Sequence, residues 1–154
     1  MPENSSTRSD REANGFQDSA KRAFEFLRDF GYELVHSEPT MIRYEGDQRY
    51  VQIYHGRRSY ELGVDFGRTD EPENATSLRE LVNSLNEREK YRGYTATSAE
   101  AVATGVKLLA SDTRRFEDVL RGNLPHERLE RYRRALTDYY SGKSKISPDR
   151  GHLP

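Results

Sequence analysis

The chain has 154 residues, 25 of them basic and 26 acidic, which gives a formal net charge of −1 at pH 7. This length suits one domain, and the balanced charge creates no overall field that would attract nucleic acid or an anionic membrane. The absence of cysteine excludes disulfides, thiolate metal sites and cysteine nucleophiles. No apolar run has the length of a signal-peptide core or a membrane span, so we expect a cytoplasmic protein without membrane contact.

Both ends of the sequence are polar. Residues 1–14 and 142–154 contain few large apolar side chains and are rich in charged, serine, glycine and proline residues. Such segments bury too little apolar surface to offset the entropy lost on ordering. We therefore predict a disordered N-terminal tail (1–14), a single α+β domain (15–141) and a flexible C-terminal tail (142–154).

The domain begins with a helical pattern from Phe16 to Phe30. Large apolar residues recur there at three- and four-residue steps, and Gly31 follows as a helix stop. Four extended segments come next, at about 32–37, 41–45, 49–55 and 59–67, with short turns between them. Connections this short join antiparallel neighbours, so the pattern predicts a four-stranded meander.

The last two of these strands form a hairpin with one apolar and one polar face. A two-residue turn at Gly56-Arg57 would place Ile53 opposite Tyr60 and Val51 opposite Leu62. The apolar residues of the strands then share a face, because side chains alternate between the two faces of a sheet. We expect the N-terminal helix to pack on a core face made by Ile42, Tyr44, Val51, Ile53, Tyr60, Leu62, Val64 and Phe66.

The chain becomes helical after the sheet. The predicted elements are a loop at 70–75, a short helix at 78–85, a charged loop at 86–96, a long helix from Thr97 or Ser98 to about Leu120, and a last helix from Pro125 to about Tyr140. Ser77 and Glu80 have the spacing of a capping box at the start of the short helix. A proline such as Pro125 suits the first turn of a helix.

Four segments together resemble a broad group of small, mostly uncharacterised bacterial α+β proteins. They are FEFLRDFGY (24–32), MIRYE (41–45), VQIYHGRRSYELGVDFGR (51–68) and SLREL (77–81), and the resemblance covers roughly residues 24–136. Some similar proteins are immunity proteins of bacterial toxin systems, each of which binds and neutralises one toxin. The resemblance implies a protein-binding role and supplies no catalytic residue.

The polar face of the hairpin is the main candidate for a partner-binding surface. Tyrosines mixed with charges are typical of protein interfaces, since they offer a large contact area at low rotamer entropy cost. The predicted partner-binding residues are Tyr50, Tyr54, Arg57, Arg58, Glu61, Asp65, Tyr91 and Tyr94. We therefore predict a non-enzymatic protein-binding module of the immunity type, which blocks a partner toxin by occlusion. The alternative is that a C-terminal helix simply covers this face.

A second hypothesis is a small enzyme in which His55 acts with Glu61 or Asp65 in general acid–base catalysis. The competing interpretation is that these side chains are solvated, or paired with Arg43 and Arg49. The four histidines have no zinc-site spacing, and the sequence carries no phosphate-binding glycine loop, so we predict no metal and no cofactor.

A third hypothesis is nucleic-acid binding through arginine clusters. These clusters are Arg57-Arg58, Arg114-Arg115, and the series Arg128, Arg131, Arg133 and Arg134 on the last helix. Glutamates at i,i+4 spacing on the same helix and the neutral net charge argue against this role. A solvated helix face is the simpler interpretation of the series.

Overall fold

The fold was obtained as a computed structural model, which describes residues 15–56, 60–85, 91, 93–145 and 147–148. It confirms an α+β domain built on an antiparallel sheet. The predicted N-terminal tail, residues 1–14, lies outside the described residues. The predicted flexible segment 142–154 is described only over 142–145 and 147–148.

Five α-helices, one 3₁₀ helix and six strands make up the described part of the chain. The helices are α1 (Phe16–Ala23), the 3₁₀ helix (Glu25–Phe30), α2 (Leu78–Asn83), α3 (Ala99–Arg114), α4 (Glu117–Leu120) and α5 (His126–Tyr140). The strands are β1 (Glu33–Glu38), β2 (Met41–Gly46), β3 (Arg49–His55), β4 (Glu61–Arg68), β5 (Glu71–Ser77) and β6 (Tyr94–Thr95).

The sheet runs in the order β1-β2-β3-β4-β5, and β6 also pairs with β4. Strands β5 and β6 share one edge of β4, with Ser77 of β5 opposite Asp65 and Thr95 of β6 opposite Glu61. The four predicted strands and their meander order are correct, but the predicted strand count is too low.

Strand β5 occupies most of the segment predicted as a loop at 70–75. Its pairing with β4 is irregular and involves Glu71, Thr76 and Ser77, while residues 72–75 are exposed. A half-buried strand is normally recognised in a sequence by alternating apolar residues. This polar segment, which contains a proline, lacks that alternation. Strand β5 is held in place by its pairing with β4 at both ends and by the burial of Thr76.

The β3–β4 hairpin keeps the predicted faces but not the predicted register. Ile53 lies opposite Val64 and His55 opposite Leu62, so the predicted pairing of Ile53 with Tyr60 is wrong. The shift is an even number of residues, which preserves the face of every side chain. Ile53 and Leu62 therefore share the core face, as predicted.

The register differs because the turn is longer than two residues. The Gly56 N–H donates to the Glu61 carbonyl at 2.7 Å, and the Tyr60 N–H donates to the Gly56 carbonyl at 3.1 Å. Tyr60 has a left-handed backbone (φ 54°) and lies outside β4, contrary to its predicted place in the strand. Its ring packs instead against His55, with centroids 5.7 Å apart.

The predicted first helix changes its winding after Ala23. Residues 25–30 form a 3₁₀ helix, whose three-residue turn places Leu27 and Phe30 on one side. The tighter winding also allows the consecutive residues Phe26 and Leu27 both to be buried. Gly31, in the left-handed region at φ 88°, ends the segment as predicted.

The long helix is also interrupted. Its N-cap is Ser98, whose Oγ accepts the Ala101 N–H at 3.1 Å, but α3 ends at Arg114 instead of near Leu120. Phe116 leaves the helical conformation (φ −106°, ψ 52°) and α4 follows. Phe116 and Leu120 are both buried, so the break turns a second apolar patch toward the core.

Helices α1 and α3 lie together on the core face of the sheet. Gly105 of α3 approaches Leu62 of β4 so closely that an added Cβ would lie 2.5 Å from the leucine Cδ1. The largest fully buried side chains come from both layers: Phe16, Phe24, Leu27, Tyr32, Ile42, Tyr44, Ile53, Leu62, Leu78, Leu81 and Leu109. The capping box predicted at α2 is present, with Ser77 and Glu80 each accepting the other's backbone N–H. The sheet therefore has α1 and α3 on its core face, while α2 contacts β4 and β5 and packs against α5.

Candidate protein-binding face

The side of β2–β4 opposite the core carries most of the predicted partner-binding residues. We call it the outer face and define it by Arg43, Tyr50, Gln52, Tyr54, Glu61 and Asp65, which the strand registers place on this side. All of them except Tyr50 are partly exposed. Helices α1 and α3 lie on the core face and do not cover these positions, whereas α2 reaches them through Arg79, which donates to Glu61 at 3.1 Å.

Two tyrosine rings of the outer face lie across glycines of the neighbouring strand. Tyr50 is opposite Gly67 and Tyr54 is opposite Gly63. A Cβ added at either glycine would overlap the ring opposite it. The glycines therefore let the rings lie flat on β4, which explains why Tyr50 is only 5% exposed on an open face.

Asp65 lies on β4 midway between the two glycines. Gln52 is directly opposite it on β3. Among the described residues, no side chain donates a hydrogen bond to the Asp65 carboxylate, and burial together with the Glu80 carboxylate raises its pKa to about 6. Burial and the Asp65 charge also raise the pKa of Tyr54, to about 12. Asp65 is thus partly desolvated without a described counter-charge.

Arg43 of β2 covers one of the two rings. Its guanidinium lies 4.0 Å from the Tyr50 ring centroid, a cation–π distance. Its Nε donates to Glu45 at 2.8 Å and an Nη to Gln52 at 3.3 Å. Arg43 is therefore paired with Glu45 and does not neutralise Asp65.

The other charges near Asp65 are paired as well. Arg79 of α2 donates to Glu61 at 3.1 Å, and Arg133 of α5 donates to Glu80 at 2.6 Å. These two ion pairs are locally neutral. Among the described residues of this face, none compensates the charge of the Asp65 carboxylate.

The predicted residues of the 86–96 segment are placed differently from one another. Tyr94 pairs with Leu62 on the core side of β6, and its hydroxyl hydrogen-bonds to Asp112 of α3 at 3.2 Å. Tyr91 packs edge-on against Tyr94 at 5.9 Å, and the guanidinium of Arg79 lies 5.1 Å from its centroid. Tyr91 thus borders the outer face, whereas Tyr94 belongs to the helix side. Arg57 and Arg58 lie outside the described residues.

His55 does not converge with the carboxylates assigned to it by the enzyme hypothesis. It is 1% exposed on the core face, where it packs on Phe16 at 5.7 Å and its Nε2 donates to the Ala96 carbonyl at 2.8 Å. Glu61 and Asp65 point to the outer face. The sheet itself separates the histidine from both carboxylates.

Arginines of the two described clusters of the nucleic-acid hypothesis make intramolecular contacts; the third cluster, Arg57-Arg58, lies outside the described residues. Arg114 stacks on the Phe26 ring at 4.5 Å, and Arg115 lies 3.9 Å from Asp112. On α5, Arg128 donates to Ser84 at 3.1 Å and Arg134 to Glu130 at 3.5 Å. These clusters fit the interpretation of solvated, internally paired faces.

The sequence did not predict a cleft of about 490 Å³ that lies between the end of the sheet and α4–α5. Its charged and polar lining includes Arg49, Arg68, Asn74, His126 and Arg133, over an apolar floor of Phe66, Val119, Leu124 and Leu129. Arg49 contacts Asp47 at 3.2 Å, Arg68 contacts Asp70 at 2.9 Å, and Arg133 is bound to Glu80. Every arginine of the cleft therefore has an acidic partner.

The described part of the chain offers neither a metal site nor a membrane-spanning helix. It holds no cluster of three or more histidines and carboxylates arranged to bind a metal ion. None of its helices combines the length and apolarity needed to cross a membrane.

No protein family, curated protein or solved structure matches the chain. The resemblance to immunity proteins is therefore still a prediction, and the function has to be argued from the geometry of the outer face.

Proposed function

We propose that the chain is a protein-binding domain whose outer face blocks the working surface of a protein partner. The observation that carries the proposal is Asp65, a partly desolvated and partly exposed carboxylate set between Tyr50 and Tyr54 on the outer face. Burying a carboxylate without a counter-charge destabilises the folded state, and such perturbed groups concentrate at functional sites. A partner that pairs this charge would recover the lost free energy.

The surroundings of Asp65 suit an interface. Tyrosine and arginine are over-represented among residues that dominate binding free energy. The rings of Tyr50 and Tyr54 are already fixed on Gly67 and Gly63, so binding immobilises little additional side-chain freedom. Occlusion needs this kind of preformed, complementary surface and requires no catalytic residue.

The proposed class of partner is a toxin, neutralised as an immunity protein neutralises its cognate toxin. This part of the proposal is supported by the sequence resemblance. The competing enzyme hypothesis loses its support because His55 and the two carboxylates face opposite sides of the sheet. Nucleic-acid binding is disfavoured by the internally paired arginines.

Affinity capture from the organism of origin tests the proposal with a matched pair of variants. Glu61→Arg reverses a charge on the outer face, and Glu130→Arg reverses one on α5; each replaces a glutamate that pairs with an arginine. We expect wild type and Glu130→Arg to capture the same stoichiometric protein, and Glu61→Arg to lose at least tenfold in affinity, or about 1.4 kcal/mol. Equal capture by both variants, or no stoichiometric protein, contradicts the outer-face proposal.

The toxin part needs a separate readout. Expression of the captured protein alone should arrest growth, and co-expression with this chain should restore it. Co-expression with Glu61→Arg should restore growth less well than co-expression with Glu130→Arg. If the captured protein is harmless on its own, the protein-binding role stands and the immunity role is contradicted.

A further inference from the structure

The outer face contains a slot with a carboxylate at its centre and aromatic rings at its two ends. Gly63, Asp65 and Gly67 follow one another on the same side of β4, and the rings of Tyr54 and Tyr50 lie over the two glycines. At about 3.3 Å per residue, four residues separate the two rings by roughly 13 Å along the strand. Asp65 lies halfway between the two rings, and the gap on either side of it is wide enough to admit a side chain.

We propose that this slot binds the cationic end of a lysine or arginine side chain presented by the partner. The inference rests on the proposed function for the statement that the partner is a protein. The occupant's chemistry, however, follows from the slot itself. A carboxylate attracts a cation directly, and the flat tyrosine rings on either side offer apolar surface along which the aliphatic part of a lysine or arginine side chain can lie.

Other occupants fit less well. An anion would meet the charge of Asp65 and, nearby, those of Glu61 and Glu80. An apolar side chain would complete the desolvation of Asp65 without pairing its charge, which is strongly unfavourable. A lysine or arginine side chain alone pairs the charge of the carboxylate while its aliphatic part contacts the rings.

The elements around the slot place no competing cation on Asp65 among the described residues. Arg43 of β2 is bound to Glu45, Arg79 of α2 to Glu61, and Arg133 of α5 to Glu80. The remaining titratable neighbours are the two tyrosines, whose pKa values burial and the Asp65 charge raise, so both stay neutral at physiological pH. Arg43 already covers the outward face of the Tyr50 ring, so the occupant's charge is bound by Asp65 and not by this ring.

The slot makes binding dependent on pH. Asp65 has a pKa of about 6 when no partner is present, and only its ionised form attracts a cation. Affinity should therefore rise as the pH increases through about 6 and level off above it. By linkage, a bound cation must lower the pKa of Asp65.

A small-molecule titration of the ¹⁵N-labelled full chain tests the slot without the partner. The probe is N-acetyl-arginine amide, and N-acetyl-citrulline amide is its neutral, nearly isosteric control. The amide signals of Gly63 and Gly67 report on the slot because the two tyrosine rings lie directly over them. We expect the arginine probe to shift both signals and lower the pKa of Asp65, and the citrulline probe to do neither.

Variants separate the slot from general charge attraction. Asp65→Asn should abolish the response, and Gln52→Lys should do the same by placing a cation directly opposite Asp65 within the chain. Asp70→Asn is the control, since Asp70 is an exposed carboxylate bound to Arg68. Equal responses to the two probes, or a response that persists in Asp65→Asn, would overturn the inference.

Binding of the captured partner distinguishes failure of the slot from failure of the proposed function. We expect Asp65→Asn and Gln52→Lys to weaken partner binding at least tenfold, and Asp70→Asn to leave it unchanged. A partner that Glu61→Arg disrupts but Asp65→Asn does not would overturn the slot and keep the protein-binding role. A positive arginine titration without any protein partner would support the cation slot and remove the proposed function.

Discussion

The cost of keeping Asp65 on the outer face should be measurable as folding stability. Its pKa of about 6 in the folded protein exceeds the ordinary value of 3.8, so ionisation destabilises the fold as the pH rises from about 4 to beyond 6. We predict that Asp65→Asn increases the free energy of unfolding at pH 7.5 by about 1 to 3 kcal/mol and that the gain disappears near pH 4. Urea denaturation at the two pH values measures it. A gain independent of pH would show that Asp65 is not desolvated.

A control variant gives the opposite sign. Arg68 holds the pKa of Asp70 below its usual range, so the Asp70 charge favours the folded state above the ordinary pKa and that contribution is lost as the pH falls. Asp70→Asn should therefore bring no gain in stability at pH 7.5.

Gly63 should be intolerant of the smallest possible side chain. Its alanine variant places a methyl group where the Tyr54 ring lies, and the ring has to move off β4. We predict a loss of about 1 to 3 kcal/mol in the free energy of unfolding and a changed tyrosine signal in near-UV circular dichroism. Gly93→Ala is the matched control, because its new Cβ would meet nothing closer than an Arg79 nitrogen at 3.8 Å. Equal effects of the two substitutions would contradict the ring placement.

At the scale of elements, the contact between α3 and β4 predicts a coupled pair of substitutions. Leu62→Ala removes a fully buried side chain and should cost about 2 to 5 kcal/mol. Gly105→Ala drives a Cβ into the same leucine, which outweighs the roughly 1 kcal/mol that alanine gains over glycine in a helix. In the double variant the added methyl group enters the space that Leu62 leaves. Its loss should fall short of the sum of the single losses by more than about 0.5 kcal/mol, measured by chemical denaturation. Additive losses would show that the two residues do not touch.

Sequence patterns predicted elements where local chemistry alone determines them. The alternation of β3 and β4 assigned Tyr50, Tyr54, Glu61 and Asp65 correctly to one face, because side-chain direction depends only on residue parity. The same parity puts His55 on the core face with Val51 and Ile53, opposite Glu61 and Asp65. The sequence alone therefore contained the argument against the enzyme hypothesis. The caps at Ser77 and Ser98 were also predictable, because helix capping depends only on residues within one turn of the helix start.

Other features depend on contacts that no local pattern records. The hairpin register follows from a turn without a strong two-residue signature, and β5 is held by backbone pairing. The helix break at Phe116 is hidden because the apolar spacing continues across it. The cleft gathers residues from four distant segments, so neither composition nor periodicity could indicate it.

At the scale of the whole molecule, the boundaries of the fold can be tested by truncation. Composition alone predicts that residues 1–14 and 142–154 contribute nothing to folding. Residues 142–148 differ, since the N–H groups of Lys143 and Ser144 donate to the Asp138 carbonyl and Ser147 is buried. We predict that chain 15–148 melts at the wild-type temperature and that chain 15–141 melts lower, as measured by calorimetry. Identical melting of the two truncated chains would place the boundary at 141.

The two edges of the sheet limit how the proposed partner can approach. At one edge, β1 contains an irregularity at Val35, which is 53% exposed and interrupts the regular pairing with β2. At the other, β4 is shared by β5 and the two-residue β6, and β5 itself pairs irregularly. Bulges and irregular pairing in an edge strand hinder the addition of a further strand. Lateral growth of the sheet into fibrils or strand-swapped dimers is thereby disfavoured. Under the proposed function, recognition then depends on side chains of the outer face, which single substitutions can alter one at a time.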